Sequence, residues 1–95
     1  MLNIDLLVMS REEIMLKMAS NVENRRKQYR LTQRQLAQQA GVTYSSYRRF
    51  EQTGRISLDS FVKIARILDC EKELLELFTK RHYNSIQEVF DEKRR

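Results

Sequence analysis

The stretch Leu31-Thr-Gln-Arg-Gln-Leu-Ala-Gln-Gln-Ala-Gly-Val-Thr-Tyr-Ser-Ser-Tyr-Arg-Arg-Phe-Glu-Gln-Thr-Gly54 holds both glycines of the chain, and each follows a short amphipathic run. Thr32 can cap the exposed amides of a helix, and Gln35 three residues later completes a capping box. That helix must end at Gly41: Leu36, Ala37 and Ala40 form its buried face, and a Gly after a helix readily takes the left-handed conformation that stops it. Val42 plugs the turn. Thr43 again has capping chemistry, and Tyr47 with Phe50 marks the inward stripe of a second short helix, from about Thr43 to Thr53. Two helices joined at a wide angle need a small residue at their approach, a Gly in the turn and an apolar plug, met here by Ala37, Gly41 and Val42. Tyr44, Ser45, Arg48, Arg49 and Gln52 are left facing outward.

Helical spacing continues on both sides. Ser10 followed by Glu13 predicts a first helix over Arg11 to Tyr29, with Ile14, Met15, Met18, Ala19, Val22 and Tyr29 recurring on one face. Ser57 caps a fourth helix, in which Phe61, Ile64, Ala65 and Leu68 keep the period and Leu58, Val62 and Ile67 widen the stripe, so that it packs on more than one neighbour. Leu74, Leu75, Leu77 and Phe78, after the acidic Glu71 and Glu73, predict a short fifth helix. The expected fold is all-α: a five-helix bundle over residues 10–79, an N-terminal arm over residues 1–9 that is either a strand or loose, and a tail over residues 80–95. In that tail Ser85 and Glu88 suit one last turn bearing Ile86, Val89 and Phe90, and the charged end from Asp91 to Arg95 is expected to be disordered.

With 95 residues, 41% of them apolar, two Gly and no Pro, the chain suits one small helical core and not a turn-rich β-fold. Its net charge of +5 is unevenly spread. Between Val22 and Arg55, eight cations (Arg25, Arg26, Lys27, Arg30, Arg34, Arg48, Arg49, Arg55) face two acids, Glu23 and Glu51, so the flanks are nearly neutral. A basic middle of this kind is the footprint of a polyanion partner, since each Lys or Arg beside a phosphate releases condensed counterions. The single Cys70 cannot close an intramolecular disulfide, and one His supplies no ligand set for zinc. No cofactor motif and no nucleophilic triad is present, because His82 has no partner arrangement and Glu12 and Glu13 point apart on a helix, which argues against an enzyme. The apolar stretch Ile4 with Leu6 to Met9 is too short for a membrane span. A soluble protein of the reducing cytoplasm is expected.

The 31–54 stretch, followed by Ser57-Leu-Asp-Ser-Phe-Val-Lys-Ile-Ala-Arg-Ile-Leu68, resembles the phage repressor and Cro type of helix-turn-helix, the Xre-like family, over roughly Ala19 to Phe78. The resemblance implies a five-helix domain whose third helix reads double-stranded DNA in the major groove, with a transcriptional regulator, usually a repressor, as its function. It further implies that Gln33 fixes a phosphate, that Arg26 pairs with Glu51, and that Tyr44, Ser45 and Arg49 read bases. One departure is that the Gly expected two positions after the Glu is Thr53 here, with Gly54 one later, which bears on Arg55.

Geometry points to the same residues. The start of a helix inserted end-first meets base edges while its later turns run beside the backbone, so Tyr44 and Ser45 sit deepest. Arg49, one turn beyond Ser45, can take guanine O6 and N7 as a bidentate pair worth about 1 to 3 kcal/mol of discrimination. Thr43 serves as a cap or offers its methyl to a thymine, and Tyr44 either reads or packs on the preceding helix. Arg48, Arg34, Arg55 and Lys27 are candidates for phosphate contact, which positions without reading sequence.

One short helix contacts few base pairs, so a homodimer is expected, through the apolar arm (Leu2, Ile4, Leu6, Val8) or the fifth helix (Leu74, Leu77, Phe78). The segment Tyr83-Asn-Ser-Ile-Gln-Glu-Val-Phe90 is similar to the tail of antitoxins paired with Hip-type kinase toxins. That resemblance implies repression of an operon together with binding of a kinase-like toxin through Ile86, Val89 and Phe90. The same three residues could instead fold back on the domain's own core.

Overall fold

The computed structural model describes residues 8–81, and all regular structure among them is helical. The element order is α1 (Arg11–Gln28), α2 (Gln33–Ala40), α3 (Tyr44–Thr53), α4 (Leu58–Ile67) and α5 (Glu71–Leu75). The readings of Leu2, Ile4 and Leu6, of His82, and of the tail from Tyr83 to Arg95 lie outside the described residues.

Local chemistry accounts for where each helix starts and stops. Ser10, Thr32, Thr43 and Ser57 are the caps of α1 to α4, each side chain accepting from the backbone N–H three residues on, at 3.1 Å. Only Thr32 completes a box, with Gln35 Oε1 accepting from the Thr32 N–H at 2.8 Å. The Ser10 and Glu13 box expected for α1 forms by its Ser half alone. Gly41 and Gly54 end α2 and α3 at φ +73° and +78°, in the left-handed region that a Cβ disfavours. Gly54 has a second constraint: a Cβ there would stand 2.7 Å from the Met15 carbonyl carbon, so α1 and the end of α3 pack backbone to backbone. Thr53 is the last residue of α3, its hydroxyl donating to the Arg49 carbonyl at 2.8 Å and accepting from the Arg55 N–H at 3.1 Å. The displaced glycine of the sequence is thus absorbed by one more helical residue and a side-chain turn.

The core is a cluster of Ala19, Leu36, Ala37, Tyr47, Phe50, Ile64 and Leu68, with Val42, Ala40, Leu31 and Phe61 packed against it. Phe50 sits edge-on to both Tyr47 and Phe61, with ring centroids 6.1 and 5.9 Å apart. Helix α1 lies against α3, α2 against α3 and α4, and α4 against α5.

The apolar stripes of α1, α4 and α5 are less buried than their periodicity suggests. Ile14, Met18, Tyr29, Leu58 and Val62 are exposed, and Leu77 and Phe78 follow α5 instead of belonging to it, Phe78 being wholly exposed. For Met18, Leu58, Val62 and Leu77 the physical reason is a hollow of about 630 Å³, bounded also by Met15 and Leu74, which no described residue fills. Tyr29 has turned outward, and its hydroxyl donates to Asp69 at 2.9 Å.

Candidate nucleic-acid interface

Helix α3 has two faces with different work. Tyr47 and Phe50 are buried, whereas Thr43, Ser45, Arg48, Arg49 and Gln52 are exposed and Tyr44 is half-buried. The first turn of α2, which carries Gln33 and Arg34, lies beside this outward face, because α2 and α3 share the core through Leu36, Ala37 and Tyr47.

The orientation of α3 is set by a buried polar cluster on Glu51. Arg26, only 8% exposed, donates from Nε to Glu51 Oε2 at 2.9 Å and from Nη2 to Oε1 at 3.3 Å. Its Nη1 donates to the Leu31 carbonyl at 2.8 Å, tying the α1 to α2 connection into the same cluster. Gln33 Nε2 donates to Glu51 Oε1 at 2.8 Å, and the Tyr47 hydroxyl donates to Oε2. Burial pushes the Glu51 carboxyl up, but the hydrogen bonds from Arg26, Tyr47 and Gln33 outweigh it and hold the group below the usual carboxylate range. Burial, and then the bond to Glu51, raises the Tyr47 phenol, so it stays protonated as a donor. Helices α1, α2 and α3 therefore converge on one carboxylate.

Charge pairing sorts the basic middle into two groups. Arg26 is engaged in the core, and Arg25 ties α1 to the far end of α4, donating to the Leu68 carbonyl, Cys70 Sγ and Glu73 at 3.2 to 3.4 Å. Lys27 pairs with Glu23 at 3.3 Å on the surface, a contact of little energetic consequence. Among the described residues, by contrast, Arg30, Arg34, Arg48, Arg49 and Arg55 have no carboxylate within ion-pairing distance. Four of these five come from α2, α3 or the turn after α3. The fifth, Arg30, sits at φ +57° just before the α2 cap. Its signal in the sequence was only its share in the charge count, and it was assigned no contact there.

Several candidates have particular surroundings. The carbon at the centre of the Arg34 guanidinium lies 3.9 Å from the centroid of the Tyr44 ring. Gln33 has one amide hydrogen engaged by Glu51, which leaves the other able to donate elsewhere. Thr43 Oγ1 accepts from the Ser46 N–H, so its capping role is formed while its methyl stays available. Cys70 is half-buried, donating to the Leu68 carbonyl, and burial raises its thiol above the ordinary value.

Among the described residues no group of His, Cys, Asp and Glu has the arrangement of a metal site, and no helix is long and apolar enough to cross a membrane. A helix-turn-helix family model matches residues 22–75, more than half of the chain, spanning the whole of α2, α3, α4 and α5 and the end of α1. No curated protein and no solved structure matches it.

Proposed function

The chain belongs to the helix-turn-helix family of DNA-binding transcription regulators, and from that premise we propose that it is a sequence-specific repressor that binds its operator as a homodimer. The observation that carries this reading is the sorting of charge. Arginines near the outward face of α2 and α3 are free of carboxylates, while those behind it are engaged in the fold. Free cations around a protruding helix suit a phosphate-lined groove, where each neutralised phosphate releases a counterion.

In this reading α3 enters the major groove with Tyr44 and Ser45 at the base edges and Arg49 one turn on, bidentate to a guanine. Thr43 offers its methyl to a thymine. Gln33, Arg34, Arg48, Arg55 and Lys27 hold the backbone on either side, and Arg26 with Glu51 keeps the reading helix at its angle. Repression follows from occupancy alone, since a groove filled by α3 is closed to other readers.

Dimerisation is supported by the apolar face around the hollow between α1, α4 and α5. Leu58, Leu75 and Leu77 are all more than half exposed there, with the wholly exposed Phe78 next in the chain, a concentration unusual for a monomer. The antitoxin reading rests on Tyr83 to Phe90, outside the described residues, and the site offers it no additional support.

Selection of bound DNA from a random pool tests the proposal. The expected winners are palindromes with half-site centres about 34 to 36 Å apart. Single half-sites would count against the dimer, and a pool with no enriched sequence would count against sequence reading altogether.

A further inference from the structure

Tyr44 opens α3 and Arg34 is the second residue of α2, so the two stand on different helices on either side of the turn. The guanidinium lies over the ring, 3.9 Å from its centroid. Among the described residues nothing competes for either group: no carboxylate pairs with Arg34, and the Tyr44 hydroxyl makes no hydrogen bond. Among the described residues this stack is the one polar contact that orients the ring.

From this geometry we infer that Arg34 is a positioning residue for Tyr44, so that base choice at the start of α3 depends on a cation carried by α2. The inference rests on the proposed reading in which Tyr44 meets base edges. A guanidinium attracts an aromatic face while its N–H donors, lying in its own plane, stay available. A phosphate can therefore bind the edge of Arg34 without displacing the ring, and backbone contact and ring orientation become one event. An aromatic ring fixed before DNA arrives also loses less conformational freedom on binding. Lysine keeps the charge at this position but lacks the planar fork, and glutamine lacks the charge.

The test uses the full chain as Arg34→Lys, Arg34→Gln, Tyr44→Leu and the Arg34→Gln, Tyr44→Leu double variant, assayed against the selected operator and its single-base changes. Tyr44→Leu identifies the base position whose preference depends on the ring. Arg34→Gln should flatten preference at that same position by about two- to fivefold, the range of an exposed cation–π contact. It should add no flattening in the Tyr44→Leu background. Arg34→Lys should recover overall affinity better than preference. In the free protein, ring-current shifts on the Arg34 side-chain protons should disappear in Tyr44→Leu.

Equal loss of affinity for every sequence in Arg34→Gln, with preference intact, would make Arg34 a plain phosphate contact and overturn the inference alone. Absence of the ring-current shift would do the same. A wild-type protein that prefers no sequence would instead overturn the proposed function, and this inference with it.

Discussion

Arg26 and Glu51, 25 residues apart in sequence, meet through two hydrogen bonds between α1 and α3, Nε to Oε2 at 2.9 Å and Nη2 to Oε1 at 3.3 Å. Glu51 also accepts from Gln33 and Tyr47, so the carboxylate joins α1, α2 and α3 in one cluster. Replacing such a pair by apolar groups can be neutral, whereas removing one member strands the other. Glu51→Gln should therefore lower stability by about 3 kcal/mol, measured by urea unfolding, because the buried Arg26 loses its main counter-charge and keeps only the longer, 3.9 Å contact to the half-exposed Glu23. A loss below about 1 kcal/mol, the size of a surface pair, would show that the cluster has little structural weight.

The same carboxylate sets an acid dependence. Its folded-state affinity for protons is lowered, so its stabilisation is complete above the unfolded carboxylate value of about 4.3 and is lost as pH falls through the lower folded value. The melting temperature of the wild type should drop in acid, and its advantage over Glu51→Gln should narrow steadily below about pH 4. An advantage constant down to about pH 2 would contradict a depressed Glu51.

Gly41 and Gly54 have nearly the same backbone angle but different neighbours. Nothing lies within 4 Å of a Cβ built on Gly41, while one on Gly54 runs into the Met15 backbone. Gly41→Ala should cost about 1 to 2 kcal/mol, the strain of the left-handed region alone. Gly54→Ala should cost more, since α1 must also move. Thermal melts of the two variants check the order, and equal losses would mean that the approach of α1 imposes no constraint.

Arg49 and Arg48 are neighbours on α3 with different expected work. Arg49→Ala should lose discrimination at one base pair by about 1 to 3 kcal/mol. Arg48→Ala should weaken all sequences alike and reduce the salt slope by about 1. Binding across operator variants at several salt concentrations separates them. Uniform losses from Arg49→Ala would remove it from the base-reading set.

Leu75 and Phe78 are 81% and 100% exposed, so charge at either position should leave the folded monomer's stability within about 0.5 kcal/mol of wild type. If the face formed by the hollow and the chain just after α5 joins two copies, Leu75→Glu and Phe78→Glu should shift sedimentation equilibrium toward monomer. Unchanged self-association would put the dimer contact elsewhere.

Local signals accounted for much of this molecule. The caps at Ser10, Thr32, Thr43 and Ser57 and the stops at Gly41 and Gly54 were legible because each depends on a hydroxyl or a missing Cβ within a few residues. The inner face of α3 was legible from the spacing of Tyr47 and Phe50. Side chains that act across the fold were harder to read. Arg25 counted as one cation among eight, yet it ties α1 to Leu68, Cys70 and Glu73. Nothing in its neighbourhood along the chain marks it as different from Arg30.

The sequence by itself determined the existence and order of the helices, the starts of the first four, the glycine stops of α2 and α3 and most of the outward set of α3, since periodicity, capping and glycine conformation are properties of adjacent residues; it carried the last helix too far, to Phe78 instead of Leu75. Only the tertiary structure decided which cations are free and which apolar stripes are covered. Both are matters of what lies opposite: Glu51 opposite Arg26, Tyr44 opposite Arg34, and an unfilled hollow opposite Met18 and Val62. Charge neutralisation and burial are set by distances between residues far apart in the chain, and those distances exist only once the helices have packed.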